Sequence, residues 1–312
     1  MIEAKNLTKY YGRTRAIENV SFTIEKGEIV GLLGPNAAGK TTIMRILTCF
    51  LPPNSGTAKV NGYDIWEDPF NVQKSIGYLP ERNPLYDELT VGEFLSFVAE
   101  SKGIKRKEEK RRKISKAIEE CGLEGVERKI IGKLSKGYRQ RVGIAQAIIN
   151  DPPCLILDEP TIGLDPKQII ETRKLIRNLS GKRTIILSTH ILPEVSMTCE
   201  RVVIINEGHI VATDSVENLT ARLKGATEIN LEVEGDAERV KEILKDIEGV
   251  KEVEIIPPVK ERINRYIVRS IRERDIRKEI SEKIVNSGFG LLEISLKEMS
   301  LEDIFLKLVT EE

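Results

Sequence analysis

The sequence predicts an α/β fold in which helices cover both faces of a mostly parallel sheet. Short apolar runs, rich in β-branched residues, alternate with segments of helical periodicity; they are residues 29–33, 154–157, 184–188 and 201–205. Because the strands of a parallel sheet are buried on both faces, they appear as near-continuous apolar runs rather than alternating ones. This pattern continues to about residue 224, and we assign residues 1–224 to a first domain.

Composition excludes several classes of protein. The chain has 312 residues, with 49 Lys and Arg against 49 Asp and Glu, and this balance argues against broad affinity for nucleic acid, which needs a strongly cationic field. No stretch approaches the roughly 18 to 20 apolar residues of a membrane span. The four cysteines form no CxxC pair, so neither a disulfide framework nor a zinc site is indicated. We expect a cytoplasmic protein without a nucleic-acid partner.

A helical subdomain is predicted within the first domain, at about residues 88–150. Thr90 and Glu93 form a capping-box pattern. An apolar stripe with the spacing of one helix face follows at Ile114, Ala117, Ile118 and Cys121. The basic run 105–113 is typical of a solvated helix face, although it could also contact acidic lipid or a partner.

A small α+β domain is predicted for residues 225–312. Strand and helix periodicities follow one another in the order β-α-β-β-α-β, which resembles a ferredoxin-like split βαβ unit. Pro257-Pro258 is expected to break the chain, and a last amphipathic helix is expected from Ser300. The sequence leaves open whether this domain regulates, dimerises or stabilises the protein.

The segment Gly34-Pro35-Asn36-Ala37-Ala38-Gly39-Lys40-Thr41 matches the phosphate-binding pattern GxxxxGK[ST]. It follows the predicted strand Ile29–Leu33 and precedes a helix-period segment, and this context turns successive N–H groups and a helix N-terminus toward one point. We expect residues 34–42, including Thr42, to bind nucleotide phosphates. Lys40 would reach the β- and γ-phosphates, and the Thr41 hydroxyl would bind Mg²⁺.

An acidic pair, Asp158 and Glu159, follows the apolar run 154–157. Alone, such a pair is more often a solvated strand end or a helix cap. With a phosphate-binding loop upstream, Asp158 suits a Mg²⁺ ligand, and Glu159 suits a general base that polarises the attacking water. The two motifs together predict a nucleotide hydrolase.

The segment Leu134-Ser135-Lys136-Gly137-Tyr138-Arg139-Gln140-Arg141 resembles the signature motif of ABC-type ATPases. In that family, the signature of one subunit closes over ATP held by the phosphate loop of another. The resemblance therefore implies that Ser135, Lys136 and Gly137 contact nucleotide bound to a second ATP-binding subunit, a copy of this chain or a paralogue. Taken alone, Ser135 would simply cap a helix.

Three further positions fit this family in order. Tyr11 resembles the aromatic residue that stacks on adenine. Asp165, in Gly163-Leu164-Asp165, resembles the D-loop that joins the two sites of a dimer. His190 follows a predicted strand where the family places a switch histidine that contacts the γ-phosphate. His209, in a predicted hairpin turn, is given no role.

The sequence departs from the family pattern at several positions. Ala37 replaces a common glycine, which we expect to be tolerated unless its φ must be positive. Lys136 and Tyr138 replace commoner signature residues. Glu81 occupies the position of a glutamine that ligates the metal, and its carboxylate should bind Mg²⁺ more strongly.

The resemblance implies an ATP-binding and ATP-hydrolysing subunit, peripheral on the cytoplasmic face of the membrane, that energises a separate membrane permease, with an exporter favoured. A soluble ABC ATPase of DNA repair or translation is an alternative, but the chain has neither the long coiled coil nor the second cassette of those classes. A non-catalytic nucleotide sensor or scaffold is a third hypothesis.

Overall fold

The computed structural model describes residues 1–218, 228–260, 263–270 and 275–297. The chain divides into two compact units, Met1–Val216 and Glu217–Glu312, whereas the sequence analysis places the boundary after residue 224. The helix predicted from Ser300 lies outside the described residues.

The first unit contains two sheets and a set of helices. Its strands are β1 (Ile2–Tyr11), β2 (Thr14–Ile24), β3 (Ile29–Leu33), β4 (Ser55–Val60), β5 (Tyr63–Asp64), β6 (Ile76–Leu79), β7 (Cys154–Asp158), β8 (Thr184–Thr189), β9 (Arg201–Asn206) and β10 (His209–Ser215). Its α-helices are α1 (Lys40–Leu47), α2 (Pro69–Lys74), α3 (Val91–Ser101), α4 (Lys107–Glu120), α5 (Lys136–Ile148), α6 (Pro166–Leu179) and α7 (Leu192–Thr198). A 3₁₀ turn, Ile131–Lys133, precedes α5.

The larger sheet has six strands in the order β10-β9-β3-β8-β7-β6. Its pairs are parallel except for β9 with β10, which form a hairpin. Every residue of β3, β7 and β8 is buried, as near-continuous apolar strands in a sheet covered on both faces must be. The predicted α/β core is therefore confirmed.

The smaller sheet, in the order β2-β1-β4-β5, is antiparallel. Its apolar residues join α1 and the larger sheet in one core cluster that includes Ile2, Leu7, Ile43, Met44 and Val203. All residues of α1 except Thr41 and Arg45 are buried, so the short helix is enclosed on most of its surface.

The topology determines where the functional loops meet. Strands β3, β8 and β7 are direct neighbours, with Leu33 beside Thr189 and Asp158 beside Ser188. The carboxyl ends of parallel strands lie at the same sheet edge, where α/β proteins commonly bind ligands. The phosphate loop after β3, the acidic pair at the end of β7 and His190 after β8 therefore share this edge.

Helices α3, α4 and α5 lie within residues 88–150, the range of the predicted helical subdomain. The Thr90 hydroxyl accepts from the Glu93 N–H, and the Glu93 carboxylate accepts from the Thr90 N–H, so the capping box is present at α3. Ala117, Ile118 and Cys121 are buried, while the basic run is largely exposed and carries ion pairs within the subdomain. This run is a solvated surface in the described structure.

The second unit has six described elements: β11 (Glu228–Glu234), α8 (Ala237–Lys245), β12 (Val250–Lys260), β13 (Ile263–Ser270), α9 (Arg277–Asn286) and β14 (Gly290–Lys297). Its antiparallel sheet has the order β12-β13-β11-β14. The core is formed by alternate strand residues such as Leu231 and by helix residues such as Leu244 and Ile280. This is a β-α-β-β-α-β unit.

The expected chain break at Pro257-Pro258 is wrong, because β12 continues through both prolines. The strand lies at a sheet edge, and its register with β13 shifts between Ile256 and Lys260. Proline is tolerated at such positions because a residue on the open edge need not donate a ladder hydrogen bond.

Within the described residues, no helix combines the length and apolarity needed to span a membrane.

Candidate functional site

The loop between β3 and α1 needs glycine at two positions. Gly39, the N-cap of α1, has a φ of 110°, and a Cβ there would lie 2.5 Å from Ile17 Cγ2 and 2.8 Å from the Ala16 oxygen. A Cβ on Gly34 would lie 2.3 Å from the Ile205 oxygen. The loop backbone is thus pressed against β2 and β9, and its amides gather at the N-terminus of α1.

Ala37 lies in the left-handed region, with a φ of 67°. Alanine was expected to be tolerated at this position unless its φ had to be positive, and its φ is positive. A residue with a Cβ is less stable here than glycine by roughly 1–2 kcal/mol. The loop keeps its form because the surrounding contacts hold it, and it stores strain at a functional position.

The Lys40 side chain is held at the centre of this loop. Lys40 is 5% exposed. Its Nζ donates to the carbonyl oxygens of Gly34 at 2.7 Å and Pro35 at 3.0 Å. Burial lowers the pKa of Lys40, and the carboxylates of Glu159, Asp158 and Glu81 oppose that shift. A buried cation therefore faces the carboxylates at the end of β7, with Nζ 3.7 Å from Glu159 Oε1.

Asp158 has one oxygen satisfied and one unpaired. Its Oδ1 accepts from the Ser188 hydroxyl at 2.5 Å, whereas its Oδ2 is buried and has no hydrogen-bond partner among the described residues. An unpaired buried carboxylate oxygen is costly unless a cation or donor completes it. A hard divalent cation such as Mg²⁺ fits that oxygen.

Two other predicted ligands, Thr41 and Glu81, line the neighbouring cleft. Among the described residues, no group of three or more His, Cys, Asp and Glu side chains has the arrangement of a metal site. Mg²⁺ usually takes one or two carboxylates from a protein and completes its coordination shell with water and phosphate oxygens.

Glu159 combines burial, strain and a histidine partner. It is 7% exposed and has a φ of 48°. The His190 Nδ1 lies 3.1 Å from both of its carboxylate oxygens. Burial raises the pKa of Glu159, and the His190 hydrogen bond opposes that rise. A raised pKa and a strained backbone are both typical of a catalytic base.

Ser188, which is not among the residues predicted from the sequence, orders the acidic pair. Its hydroxyl accepts from the Glu159 N–H at 2.9 Å and donates to Asp158 Oδ1. The residue is fully buried. A polar residue inside an apolar strand was the available signal, but its partners lie about thirty positions away and only the β7–β8 register brings them together.

A cleft of about 480 Å³ brings together half of the predicted site residues. The predicted residues that line it are Asn36, Ala37, Gly39, Lys40, Thr41, Thr42, Glu81, Glu159 and His190. Ala16 and Ile162, which the sequence analysis did not select, also line it. Tyr11 does not line this cleft; it is 45% exposed at the end of β1, opposite Thr14 in the β1–β2 hairpin.

The signature residues lie on a second cleft of about 250 Å³, which shares no lining residue with the first. Ser135 and Asp165 both line it and both cap helices, accepting from the N–H groups of Tyr138 and Gln168. Gly137 borders it too, and the Lys136 Nζ lies beside Gly163. Within one chain, the structure does not bring the signature and the phosphate loop to the same cleft.

Comparison with known proteins identifies the relatives of this chain. Residues 17–162 match the family model described as ABC transporter. The linearmycin resistance ATP-binding protein LnrL of Bacillus subtilis is 32% identical over 99% of this chain and 98% of its own length. The bacitracin transport ATP-binding protein BcrA of Bacillus licheniformis is 33% identical over 99% of this chain and 97% of its own.

Solved structures agree with this match. An ATP-binding subunit of an ABC transporter has a TM-score of 0.64 and 32% identity, covering 72% of this chain and 93% of its own. A dimeric ATP-binding cassette, in a post-hydrolysis state with ADP and Pi, has a TM-score of 0.63 and 26% identity, covering 69% of this chain and 99% of its own.

The left-handed backbone at Ala37 predicts that Ala37→Gly stabilises the protein. Relief of roughly 1–2 kcal/mol of strain should exceed the roughly 0.4–1 kcal/mol of extra unfolded-state entropy that glycine brings. We expect the denaturant midpoint of the first unit to rise. The matched control is Ala38→Gly, at a position outside the left-handed region, and it should lower the midpoint. An equal fall of the denaturant midpoint in both variants would show that the backbone at Ala37 is not strained.

Proposed function

We propose that this chain, which belongs to the ABC transporter family of ATP-binding proteins, binds and hydrolyses ATP to energise an exporter whose membrane permease is a separate polypeptide. The observation that carries this proposal is the contact between His190 and the buried Glu159, beside the phosphate loop and Lys40. The bacitracin and linearmycin systems named for the two relatives favour export, and nothing in those names favours repair or translation.

Residues 34–42 would hold the nucleotide phosphates through backbone amides, the α1 N-terminus and Lys40. The close approach of the loop backbone at Gly34 and Gly39 supports this role. Lys40 would exchange its present carbonyl partners for phosphate oxygens. Tyr11 would stack on the adenine ring, and its exposed side chain is available to do so.

Mg²⁺ would be held by Thr41, Asp158 and Glu81, together with phosphate oxygens and water. The unpaired Asp158 Oδ2 supports this assignment. When bound, the ion would neutralise phosphate charge. Glu81 adds a third carboxylate, besides Asp158 and Glu159, that acts on Lys40.

Glu159 would act as general base and His190 would orient it. The carboxylate would accept a proton from a water whose oxygen bonds to the γ-phosphorus, while the bond from that phosphorus to the bridging oxygen of ADP breaks. The double contact with His190 Nδ1 limits rotation of the carboxylate. His190 would also contact the γ-phosphate, since it lines the same cleft.

A second ATP-binding subunit, identical or paralogous, would complete each site. Ser135, Lys136, Gly137 and Asp165 border a separate cleft in one chain, which supports a contribution from each subunit to nucleotide bound by the other. The N-terminus of α5 would present its amides to the γ-phosphate.

The permease would contact an apolar groove of about 490 Å³ on the first unit. Residues from α1, α2, β6 and α5 line it, together with Phe50, which is 75% exposed. A large exposed aromatic residue beside an apolar groove is typical of a protein interface. Binding there would place the chain on the cytoplasmic face of the membrane, and the neutral net charge favours no nucleic-acid partner.

Glu159→Gln should reduce ATP turnover by roughly 10²- to 10⁴-fold, because the amide cannot accept the water proton. ATP affinity should be retained, and ATP should trap a dimer. Phosphate release, nucleotide binding and size-exclusion chromatography with ATP measure the three effects. Glu207→Gln is a matched control, since Glu207 also has a positive φ, of 45°, but is exposed in a hairpin turn. Wild-type turnover in Glu159→Gln would refute the base assignment.

Glu81→Gln should weaken metal binding. Loss of one charged ligand, worth about 1.5 kcal/mol, corresponds to roughly a tenfold rise in the Mg²⁺ concentration for half-maximal ATP hydrolysis. Mg²⁺ titration at saturating ATP measures it. An unchanged midpoint would remove Glu81 from the metal site.

A further inference from the structure

Glu194 is a buried carboxylate that the mechanism above does not use. It lies on α7, four residues after His190, and is 3% exposed. A carboxylate this buried needs hydrogen bonds and charge compensation, because an isolated one is strongly destabilising. Its partners therefore indicate what it does.

Both oxygens of Glu194 are bonded to threonine hydroxyls. Thr189 donates to Oε2 at 2.7 Å, and Thr161 donates to Oε1. The Arg173 Nη2 lies 3.6 Å from Oε1 and supplies the compensating charge. One carboxylate thus joins three separate segments of the chain.

The Thr189 contact fixes the backbone around His190. The Thr189 hydroxyl accepts from the Ile191 N–H at 3.0 Å while it donates to Glu194. The Glu194 N–H in turn donates to the Ile191 oxygen at 3.0 Å. The residues on both sides of His190 are thereby tied to Glu194.

The Thr161 contact fixes the turn that carries Glu159. Thr161 is 3% exposed and lies two residues after Glu159. The Ile162 N–H donates to the Glu159 oxygen, and the Leu164 N–H donates to the Thr161 oxygen, each at 3.2 Å. This compact turn holds Glu159 at its positive φ.

We propose that Glu194 is a positioning residue that sets the contact between His190 and Glu159. It bridges Thr189, next to the histidine, and Thr161, next to the base. The two hydroxyl bonds fix the relative position of the segments, and the 3.1 Å contact follows from it. The proposal rests on the proposed ATPase function.

The same turn is also tied to the signature helix. The Gln140 side chain, on α5, donates to the Pro160 oxygen at 2.8 Å. Glu194 therefore holds one side of a segment whose other side contacts α5. Movement of the signature helix would reach the base through a turn that Glu194 keeps in register with His190.

The alternative to a positioning role is that Glu194 serves only as the counter-ion of Arg173. Two substitutions separate the roles. Glu194→Ala removes the bridge and the charge together. Glu194→Gln removes the charge but keeps the bridge, because the amide oxygen can accept from one threonine and the amide N–H can donate to the other.

The experiment measures kcat and KM for ATP in the full chain. Glu194→Ala should lower kcat at least about tenfold with KM within about twofold, because the nucleotide still binds while the base is misplaced. Glu194→Gln should restore kcat to within about threefold of wild type. Glu28→Ala is the matched control. Glu28 lies just before β3, and its substitution removes an ion pair of 2.7 Å with Arg201. This variant should leave kcat unchanged.

A wild-type kcat in Glu194→Ala would overturn the proposal. An equal fall of kcat in Glu194→Gln and Glu194→Ala would overturn it too, because the charge and not the bridge would then be decisive. If Glu194→Ala does not fold, Thr161→Val and Thr189→Val decide. Each should lower kcat at constant KM, and the double variant should lose less than the product of the two; unchanged kcat overturns the proposal. Absence of ATP hydrolysis by the wild-type chain would instead refute the proposed function itself.

Discussion

The adjacency of β3, β8 and β7 is the constraint on which the rest of the site depends. Because these strands are parallel neighbours, the residues that follow them all lie at the same edge of the sheet. The phosphate loop, the acidic pair and His190 come from positions far apart in the chain, yet each follows one of these three strands. No element needs to be long or unusual for the site to form, because the sheet supplies the proximity.

Several polar groups at that edge are bonded to one another across the three strands. Ser188 bonds to both acidic residues, Lys40 faces Glu159, and Glu159 contacts His190. Ser188, Asp158, Glu159 and Lys40 are buried, which strengthens the interactions among them and makes the unpaired Asp158 oxygen costly. The left-handed backbones of Ala37 and Glu159 add strain at the same edge, as functional sites often do.

Local patterns allowed much of this site to be predicted from sequence. The phosphate loop is contiguous, its flanking strand and helix have clear periodicities, and the acidic pair directly follows an apolar run. Ser188, Thr161 and Glu194 could not be found in that way, since each acts through a partner brought near by the sheet or by a turn. The φ of Ala37 and the continuation of β12 through Pro257-Pro258 depend on tertiary packing and edge position, which residue type does not reveal.

Glu159 is the proposed base, and burial raises its pKa. The most direct test is the pH dependence of single-turnover ATP hydrolysis, which isolates the chemical step from product release. Since the base must be deprotonated and burial raises its pKa from the ordinary 4.5, the rate should fall with decreasing pH along a limb centred above 4.5. A rate that stays constant down to pH 4.5 in the folded protein would show that hydrolysis does not depend on a base with a raised pKa.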